Sequence, residues 1–116
     1  MFKHLINLTP HKVTFLDKDN NVIREIEPSG ILARVTANTV SLGMFDNIPI
    51  TATEFGDPYG LPPEDDSHAY IVSSLVAQAM KGRSDIFIPN ESVRDDNGMI
   101  IGCRSLGVIR WSAETS

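Results

Sequence analysis

Arginine side chains are the groups in this 116-residue sequence best suited to bind a ligand, and most lie in the last third of the chain. The four in that region are Arg83, Arg94, Arg104 and Arg110. Lys81 is the only lysine after residue 18, so this region uses arginine almost exclusively. The planar guanidinium group binds a carboxylate or a phosphate through two parallel hydrogen bonds. Together with Arg34 on a predicted strand, the set indicates a site for an anionic ligand or partner.

The alternative for the same arginines is pairing within the chain. Arg83 stands two residues before Asp85, and Asp95 and Asp96 are the nearest acids to Arg94 and Arg104. A guanidinium group held by such a neighbour supports the fold rather than a ligand. Pairing is the simpler interpretation for each arginine singly, whereas the whole set favours at least one contact to a ligand or partner.

Two stretches of backbone also suit an anion. Ser29 and Gly30 bend the chain just before the strand that carries Arg34, and successive amides in such a turn form a small anion-binding nest. Ser73 and Ser74 open the predicted helix, where unpaired amides and the helix dipole favour negative charge. An ordinary helix cap is the alternative interpretation of these two serines.

Residues for metal binding or nucleophilic catalysis are few. The candidate ligands are His4, His11, His68 and Cys103, and no two of them have the spacing of a zinc cluster. Cys103 lies in an apolar strand, which is typical of a buried, unreactive thiol. The sequence has no Gly-x-Ser-x-Gly elbow and no phosphate-binding glycine loop. We therefore expect no metal, no cofactor and no catalytic residue.

Composition limits the classes of function. Ten Lys and Arg against 15 Asp and Glu leave a net charge of −5, which argues against sequence-independent binding of long nucleic acid. The apolar runs are too short for a membrane-spanning helix. No secretory leader is visible, and the single cysteine fits a reducing compartment, so we expect a protein of the bacterial cytoplasm.

The elements that must position these residues have mostly the alternating pattern of strands. Residues 12–16 and 22–27 form a predicted hairpin around Asp17 to Asn21, because Asp and Asn side chains stabilise turns. Residues 31–35 alternate as a strand. Residues 48–53 alternate as well, and their proline marks a half-exposed or edge strand.

An irregular segment and a helix occupy the middle of the chain. Residues 56–68 read as a loop with four acids and no base, either solvated or a functional lid. Residues 69–72 form a buried strand or lead-in. A short helix follows around residues 73–81, with Lys81 in its last turn and Gly82 as its stop. Its predicted apolar stripe is Leu75, Val76, Ala79 and Met80.

The last third is again β. Residues 86–88 form a strand that ends at Pro89, and residues 92–95 pair with 99–103 through a predicted type I′ turn at Asn97 and Gly98. A final strand covers residues 106–111. We predict a mainly β (α+β) fold: a small, mainly antiparallel β barrel or curled sheet with one short helix. Residues 1–116 are predicted to form one domain, with 112–116 frayed.

Taken together, these motifs resemble a family of small, largely uncharacterised proteins of bacteria, phages and prophages. The residues that carry the resemblance are Ile6 to His11, Pro28 to Gly30, Ala33 to Val35, Gly60 to Pro62, Tyr70 to Ser73, Leu75 to Ala77, Gly82 to Asp85, Pro89, Val93 to Asp95 and Ile101 to Leu106. The resemblance implies a role against bacterial defence. Within it, Asn7 and Thr9 are expected to satisfy buried backbone groups.

Three functions follow from these observations. The first is an oligomeric binding protein that sequesters a small anionic ligand, such as a cyclic nucleotide signal, without cleaving it. Its candidate ligand-binding residues are His11, Ser29, Gly30, Arg34, Tyr70, Ser73, Arg83, Asp85, Arg94 and Arg104, with His11 or Tyr70 stacking on a base. The second is an inhibitor that binds a bacterial defence protein through the acidic loop at residues 57–66. The third is a small nucleotide hydrolase or lyase with His11 or Asp85 as base.

Overall fold

The computed structural model describes residues 2–80 and 82–110, and these form a mainly β fold with one short helix. The elements in chain order are β1 (His4–Asn7), β2 (Val13–Leu16), β3 (Val22–Ile26), β4 (Arg34–Phe45), β5 (Ile48–Tyr59), β6 (His68–Ile71), α1 (Ser74–Ala79), β7 (Ile86–Arg94) and β8 (Ile100–Gly107). The predicted fold class is therefore confirmed. Residues 112–116, predicted to fray, lie outside the described residues.

Six strands form one sheet in the order β1-β6-β7-β8-β2-β3. The sheet curls until its edge strands meet at a single isolated bridge between Asn7 and Pro28, and it stays open elsewhere. It is thus the curled sheet of the prediction, and the barrel alternative is wrong. The pairs β1–β6, β6–β7 and β2–β8 are parallel, whereas β2–β3 and β7–β8 are antiparallel, so this sheet is mixed. Local turns predict only the hairpins β2–β3 and β7–β8, because parallel pairs join strands that are distant in sequence.

Two apolar clusters fill the fold. The first contains Leu8, Ala33, Tyr70, Val72, Val76 and Ile86. The second contains Val13, Phe15, Ile26, Ile71 and Cys103. Each fully buried aliphatic side chain contributes about 1.5–3 kcal/mol, so these clusters supply the main stabilisation of the fold.

Asn7 ties the end of β1 to its neighbours. Its side chain is buried, and its amide donates to the carbonyls of His11 at 2.7 Å and Ile26 at 3.1 Å. Its Oδ1 accepts from the backbone amide of Thr9 at 2.9 Å and from the Thr9 hydroxyl at 2.7 Å. The expectation that Asn7 and Thr9 satisfy backbone groups is confirmed, and the bonds hold the β1–β2 connection in place.

Strands β4 and β5 form a separate two-stranded sheet that we call the arm, residues 34–59. Asp46 and Asn47 connect the strands with φ of 49° and 64°, the positive values that a type I′ turn requires at both positions. The radius of gyration is 17.3 Å, against about 13 Å for a compact chain of this length. The sequence predicted only residues 31–35 and 48–53 as strands here, so it missed most of the arm.

The middle of the chain differs from its prediction in detail. Residues 56–59 belong to β5, which leaves residues 60–67 as the irregular segment. The helix spans Ser74–Ala79 and is capped by Ser73, and Lys81 lies outside the described residues. Val76 is buried while Leu75 is 40% exposed. The side chains that pack on the core are Val76, Ala77 and Met80, so the predicted stripe is confirmed for Val76 and Met80 and wrong for Leu75 and Ala79, which are exposed.

The C-terminal hairpin also departs from its prediction. Strand β7 runs through Pro89 as far as Arg94, because β6 pairs only with its first two residues and leaves the edge beside the proline free. At the turn, Gly98 has φ of 82° while Asn97 is not left-handed, so the predicted type I′ turn is wrong. The Gly98 amide donates to the Asp95 carbonyl at 3.0 Å, as in a three-residue hairpin loop with glycine at its end. Strand β8 runs from Ile100 to Gly107, so Leu106 and Gly107 of the predicted strand at residues 106–111 continue this strand and do not begin a new one. Residues 108–110 are not in a strand, and residue 111 lies outside the described residues.

Candidate functional site

A cavity of about 330 Å³ lies where the β1–β2 connection faces the hairpin β7–β8. Its lining residues are Thr9, His11, Lys12, Val13, Thr14, Pro89, Ser92, Ile100, Ile101, Gly102 and Cys103. Val13 and Cys103 are buried and form its floor, while His11 and Lys12 are exposed at its rim. The cavity thus combines an apolar floor with an imidazole, an ammonium group and three hydroxyl side chains.

His11 is the predicted site residue that lines this cavity. The backbone at His11 is fixed, because its carbonyl accepts hydrogen bonds from the Asn7 amide at 2.7 Å and from the Thr9 hydroxyl at 3.1 Å. Its side chain remains exposed. An aromatic ring on a fixed backbone at a cavity rim is suited to stack on a planar group.

Lys12 supplies positive charge beside His11. Its Nζ lies 3.2 Å from a carboxylate oxygen of Glu25, and both side chains are more than 40% exposed. An ion pair at such exposure contributes at most about 1 kcal/mol. Lys12 can therefore exchange Glu25 for an anion that binds the ammonium group more strongly, such as a phosphate.

Cys103 closes the floor of the cavity without offering a nucleophile. The residue is 4% exposed, and its Sγ donates to the carbonyl of Thr14 at 3.6 Å. Burial raises the pKa of this thiol, so the reactive thiolate is disfavoured at neutral pH. The expectation of a buried, unreactive thiol is consistent with this geometry.

Arg83 and Asp85 form a buried ion pair outside the cavity. Arg83 Nε donates to Asp85 Oδ1 at 3.0 Å and its terminal nitrogen donates to Oδ2 at 2.7 Å. The Asp85 side chain is 1% exposed and that of Arg83 is 14% exposed. The hydrogen bonds to Asp85 raise the pKa of Arg83 above its ordinary value. Both residues are engaged with each other, which matches the pairing alternative and leaves Asp85 poorly placed to act as a base.

The other candidate arginines have separate partners. The exposed Arg94 donates to the Gly98 carbonyl at 2.7 Å within its own hairpin. Arg104 donates to the Asn20 side chain at 2.8 Å and to the Asp17 carbonyl in the β2–β3 turn. Neither binds Asp95 or Asp96 in the described structure, so the partners expected from sequence are wrong for these two. Arg34 is exposed at the base of the arm, opposite Tyr59.

The backbone sites and Tyr70 are also engaged in the fold. Ser29 donates its amide to the Asn7 carbonyl at 2.9 Å and its Oγ accepts the Ile31 amide at 3.2 Å, although Gly30 has the left-handed φ of 94° that a nest needs. Ser73 Oγ accepts from the Val76 amide at 3.3 Å, as an ordinary helix cap does. Tyr70 is 3% exposed within the first apolar cluster, so its ring has no free face for a base.

The sequence did not predict the contacts that order the acidic loop. Asp65 accepts the backbone amides of Ser67 at 2.7 Å and His68 at 2.9 Å, and its carboxylate lies 2.9 Å from His68 Nδ1. The bond to His68 and those to the two amides lower the pKa of Asp65 to about 2. The ring of His68 also lies against His4, with centroids 5.0 Å apart. The Asp-x-Ser-His spacing is the local signal for this turn, because an aspartate side chain bonds backbone amides two and three residues on.

Four residues that line the cavity beside His11 were not predicted to bind a ligand: Thr9, Lys12, Thr14 and Ser92. Their proximity depends on the pairing of β2 with β8, a long-range contact that no local pattern contains. In residues 2–80 and 82–110, no three His, Cys, Asp or Glu side chains are grouped closely enough to hold a metal ion.

Comparison of this chain with known proteins identified no similar protein. No protein-family model matches this sequence, and no match was found among curated proteins or among solved structures. The resemblance to small phage and prophage proteins therefore stays a prediction. Among the described helical residues, none belongs to a helix long and apolar enough to cross a membrane.

Proposed function

We propose that this protein binds a small, anionic, nucleotide-like ligand in the cavity beside His11 and releases it unchanged, as a phage-type sequestering protein would. The observation that carries the proposal is the apolar floor next to an exposed imidazole and an exposed ammonium group. A nucleotide presents a flat apolar base and a charged phosphate, so it needs both kinds of surface at once.

The size of the cavity supports a ligand of this class. Its volume of about 330 Å³ is at the lower end of the range of roughly 300–1,000 Å³ seen for small-molecule sites. The base would lie on Val13 and Ile101 with its face toward His11. Lys12 would leave Glu25 to bind the phosphate, and the hydroxyl groups of Thr14 and Ser92 would accept or donate hydrogen bonds at the sugar or base edge.

Arg94 is the candidate arginine that supports this site most directly. It pairs in register with Ile100, which lines the cavity, and its guanidinium uses one donor in the bond to Gly98. A guanidinium has five donors, so four remain for a phosphate that projects from the cavity. We assign Arg83 and Arg104 to the fold, because each is held by partners within the chain.

Binding without chemistry is favoured by the state of the candidate catalytic groups. Asp85 is locked against Arg83, and burial raises the pKa of the Cys103 thiol. His11 at the rim has its ring exposed to solvent rather than oriented by a carboxylate, as a general base usually is.

The test is calorimetric titration with a panel of cyclic dinucleotides, cyclic oligonucleotides and ADP-ribose derivatives. His11→Ala and Lys12→Met should each weaken binding of the best ligand at least about tenfold, the effect of losing roughly 1.4 kcal/mol. Lys18→Met removes an exposed lysine of the β2–β3 turn and is the matched control, with unchanged affinity expected.

The fate of the ligand separates binding from catalysis. Ligand recovered after heat denaturation of the complex should be chemically intact, and a product would favour the hydrolase or lyase alternative. Binding that is unaffected by both His11→Ala and Lys12→Met would contradict the assignment of this cavity. Failure of every nucleotide in the panel to bind would contradict the proposed ligand class.

A second candidate function rests on the charge of the middle of the chain. Residues 35–80 contain six acids and no lysine or arginine, and Glu64, Asp65 and Asp66 border an open cleft with Phe2 and Ser84. An acidic surface of this kind, which includes an aromatic side chain, suits a basic protein partner such as the one that an inhibitor of a defence protein would bind. Glu64→Gln with Asp66→Asn should then abolish salt-sensitive binding to such a partner, while unchanged binding would contradict this function. Asp65 is left intact because it orders the turn.

A further inference from the structure

The outer half of the arm has an apolar face that the described residues of its own chain leave exposed. Paired residues of an antiparallel ladder share a face, and Phe45 pairs with Ile48, Gly43 with Ile50 and Val40 with Ala52. This face is apolar over these three pairs and becomes polar at the next pair, Asn38 with Glu54. On the opposite face, the polar pairs Ser41–Thr51 and Thr39–Thr53 lie between the apolar pairs Met44–Pro49 and Ala37–Phe55. The face of Phe45 and Ile48 therefore has the longest apolar stretch of the arm, and it lies at the tip.

The exposure of the arm shows that residues 2–80 and 82–110 do not supply a packing partner for this face. No residue between 36 and 60 is buried, and Phe45 and Ile48 at the tip are 66% and 62% exposed. Helix α1 contacts both strands of the arm, and within the described residues no strand of the six-stranded sheet contacts the arm as extensively. A two-stranded hairpin without a packed face is marginally stable in water. The apolar face of the arm is thus open to a further surface.

We propose that the arm docks on a second copy of this chain, with each copy giving its arm to the other. The receiving surface is the run from Met99 to Ile101, at the start of β8, where the three side chains are 66%, 58% and 43% exposed. Phe45 and Ile48 of one copy would pack on this run in the other copy.

Charge complementarity selects this surface over contact between two arms. The arm beyond Arg34 carries Asp46, Glu54 and Asp57 and no lysine or arginine, so two arms packed together would repel. Asp46 lies in the turn between Phe45 and Ile48. The receiving run lies beside Arg94, whose strand position pairs with Ile100. Docking thus places an aspartate next to an arginine as the apolar side chains meet.

The available area is sufficient for a stable dimer. The three large apolar side chains of the docking face, Phe45, Ile48 and Ile50, offer on the order of 300 Å² per arm, since each presents roughly 100 Å². The three residues of the receiving run offer a similar area, so two reciprocal contacts bury roughly 1,200 Å² in total, at the lower end of standard interfaces. Each strand of the arm has 12 residues and spans about 40 Å, enough to reach across a second copy.

Sedimentation velocity on the full chain without ligand tests the proposal. The unmodified protein should be a dimer. Phe45→Asp with Ile48→Asp should raise the dimer dissociation constant at least about a hundredfold, because two exposed anchors are lost. Ile23→Asp changes a side chain that is 63% exposed on β3 and is the matched control, which should remain dimeric. Unchanged circular dichroism and a single cooperative thermal transition of the monomeric variants will show that the sheet still folds, although loss of the dimer should lower their melting temperature.

Two further variants test the receiving surface. Met99→Asp alone should also give monomers, and mixing it with the Phe45→Asp, Ile48→Asp chain should restore a heterodimer through the one intact contact. Asp46→Arg and Arg94→Asp should each weaken the dimer about tenfold, and the two changes combined in one chain should restore it to within about threefold.

Three results would overturn the proposal. The first is an unmodified protein that is monomeric at its highest soluble concentration. The second is a dimer that persists in the Phe45→Asp, Ile48→Asp variant. The third is a dimer that persists in Met99→Asp, which is the result expected if two arms contact each other. Ile100 and Ile101 also line the cavity, so a docked arm would border the proposed ligand site. Because the oligomeric state is measured without ligand, failure of this proposal is distinguishable from failure of the proposed function.

Discussion

The ion pair between Arg83 and Asp85 offers the sharpest test of how this fold is stabilised. The carboxylate accepts two hydrogen bonds from one guanidinium, at 3.0 and 2.7 Å, and is almost fully removed from water. The backbone carbonyl of Asp85 also accepts a hydrogen bond, from the Tyr70 amide at 2.8 Å, and so links β6 to the start of β7. Replacing Arg83 with Met leaves this buried carboxylate without a partner.

The expected cost follows from the burial of the pair. Removing one member of a buried ion pair costs about 3–5 kcal/mol, because the remaining charge is desolvated and unpaired. That is a large part of the roughly 5–15 kcal/mol that stabilises a small protein. At about 4 °C per kcal/mol for a domain of this size, the midpoint of thermal unfolding should fall by about 15 °C.

Urea unfolding and thermal melts of four proteins measure this effect. Arg83→Met should show the full loss, and Arg83→Lys an intermediate loss, since lysine keeps the charge but not the paired geometry. Arg83→Met combined with Asp85→Leu should recover most of the stability, because no charge is left buried. A loss below about 1 kcal/mol for Arg83→Met would refute the reasoning, as would a double variant less stable than Arg83→Met alone.

Three other predictions concern groups that hold loops in place. Asn7→Ala should cost about 3 kcal/mol in urea unfolding, because it removes the side-chain donor to the buried Ile26 carbonyl at the end of β3 and one of the two donors to the His11 carbonyl in the β1–β2 connection. A loss within experimental error would contradict this. The pKa of Asp65 is lowered from 3.8 to about 2, so its contribution to stability is present above pH 3.8 and is lost as the pH falls toward 2. The free energy of unfolding should therefore decrease between pH 3.8 and pH 2, and this decrease should be smaller in Asp65→Asn. Gly60→Ala should destabilise by more than 2 kcal/mol, since φ is +89° and a Cβ would lie 2.1 Å from the Leu32 carbonyl oxygen. Gly98→Ala is its control, with open space and only about 1 kcal/mol of backbone strain expected.

The hairpins show how far local chemistry determines this fold. The β2–β3 turn was predicted because Asp17 is placed to accept backbone amides, and its Oδ1 does accept those of Asp19 and Asn21, both at 2.9 Å. The β4–β5 turn was missed because the pair Asp46–Asn47 lacks the glycine of the common Asn-Gly and Asp-Gly hairpin turns. Both residue types nevertheless tolerate positive φ. The alternation on either side of that pair was the signal for a long hairpin.

The candidate site was only partly accessible to the same reasoning. His11 was singled out for its ring, and the fold places it at the rim of the cavity. Most of the arginines were assigned to a ligand by residue type alone. A guanidinium is satisfied by any acceptor that the fold brings near, and Arg104 bonds Asn20, which lies 84 residues away in sequence.

By itself the sequence determined the mainly β class, the short helix capped by Ser73, the hairpins β2–β3 and β7–β8, and an anion-favouring set of residues. Each of these depends on groups within a few residues of one another, where backbone preference and side-chain hydrogen bonds act directly. The tertiary structure decided the parallel pairs, the partners of Arg94 and Arg104, the cavity and the exposure of the arm. Those depend on contacts between distant segments, which form only when burial of the whole core offsets the entropy of closing long loops.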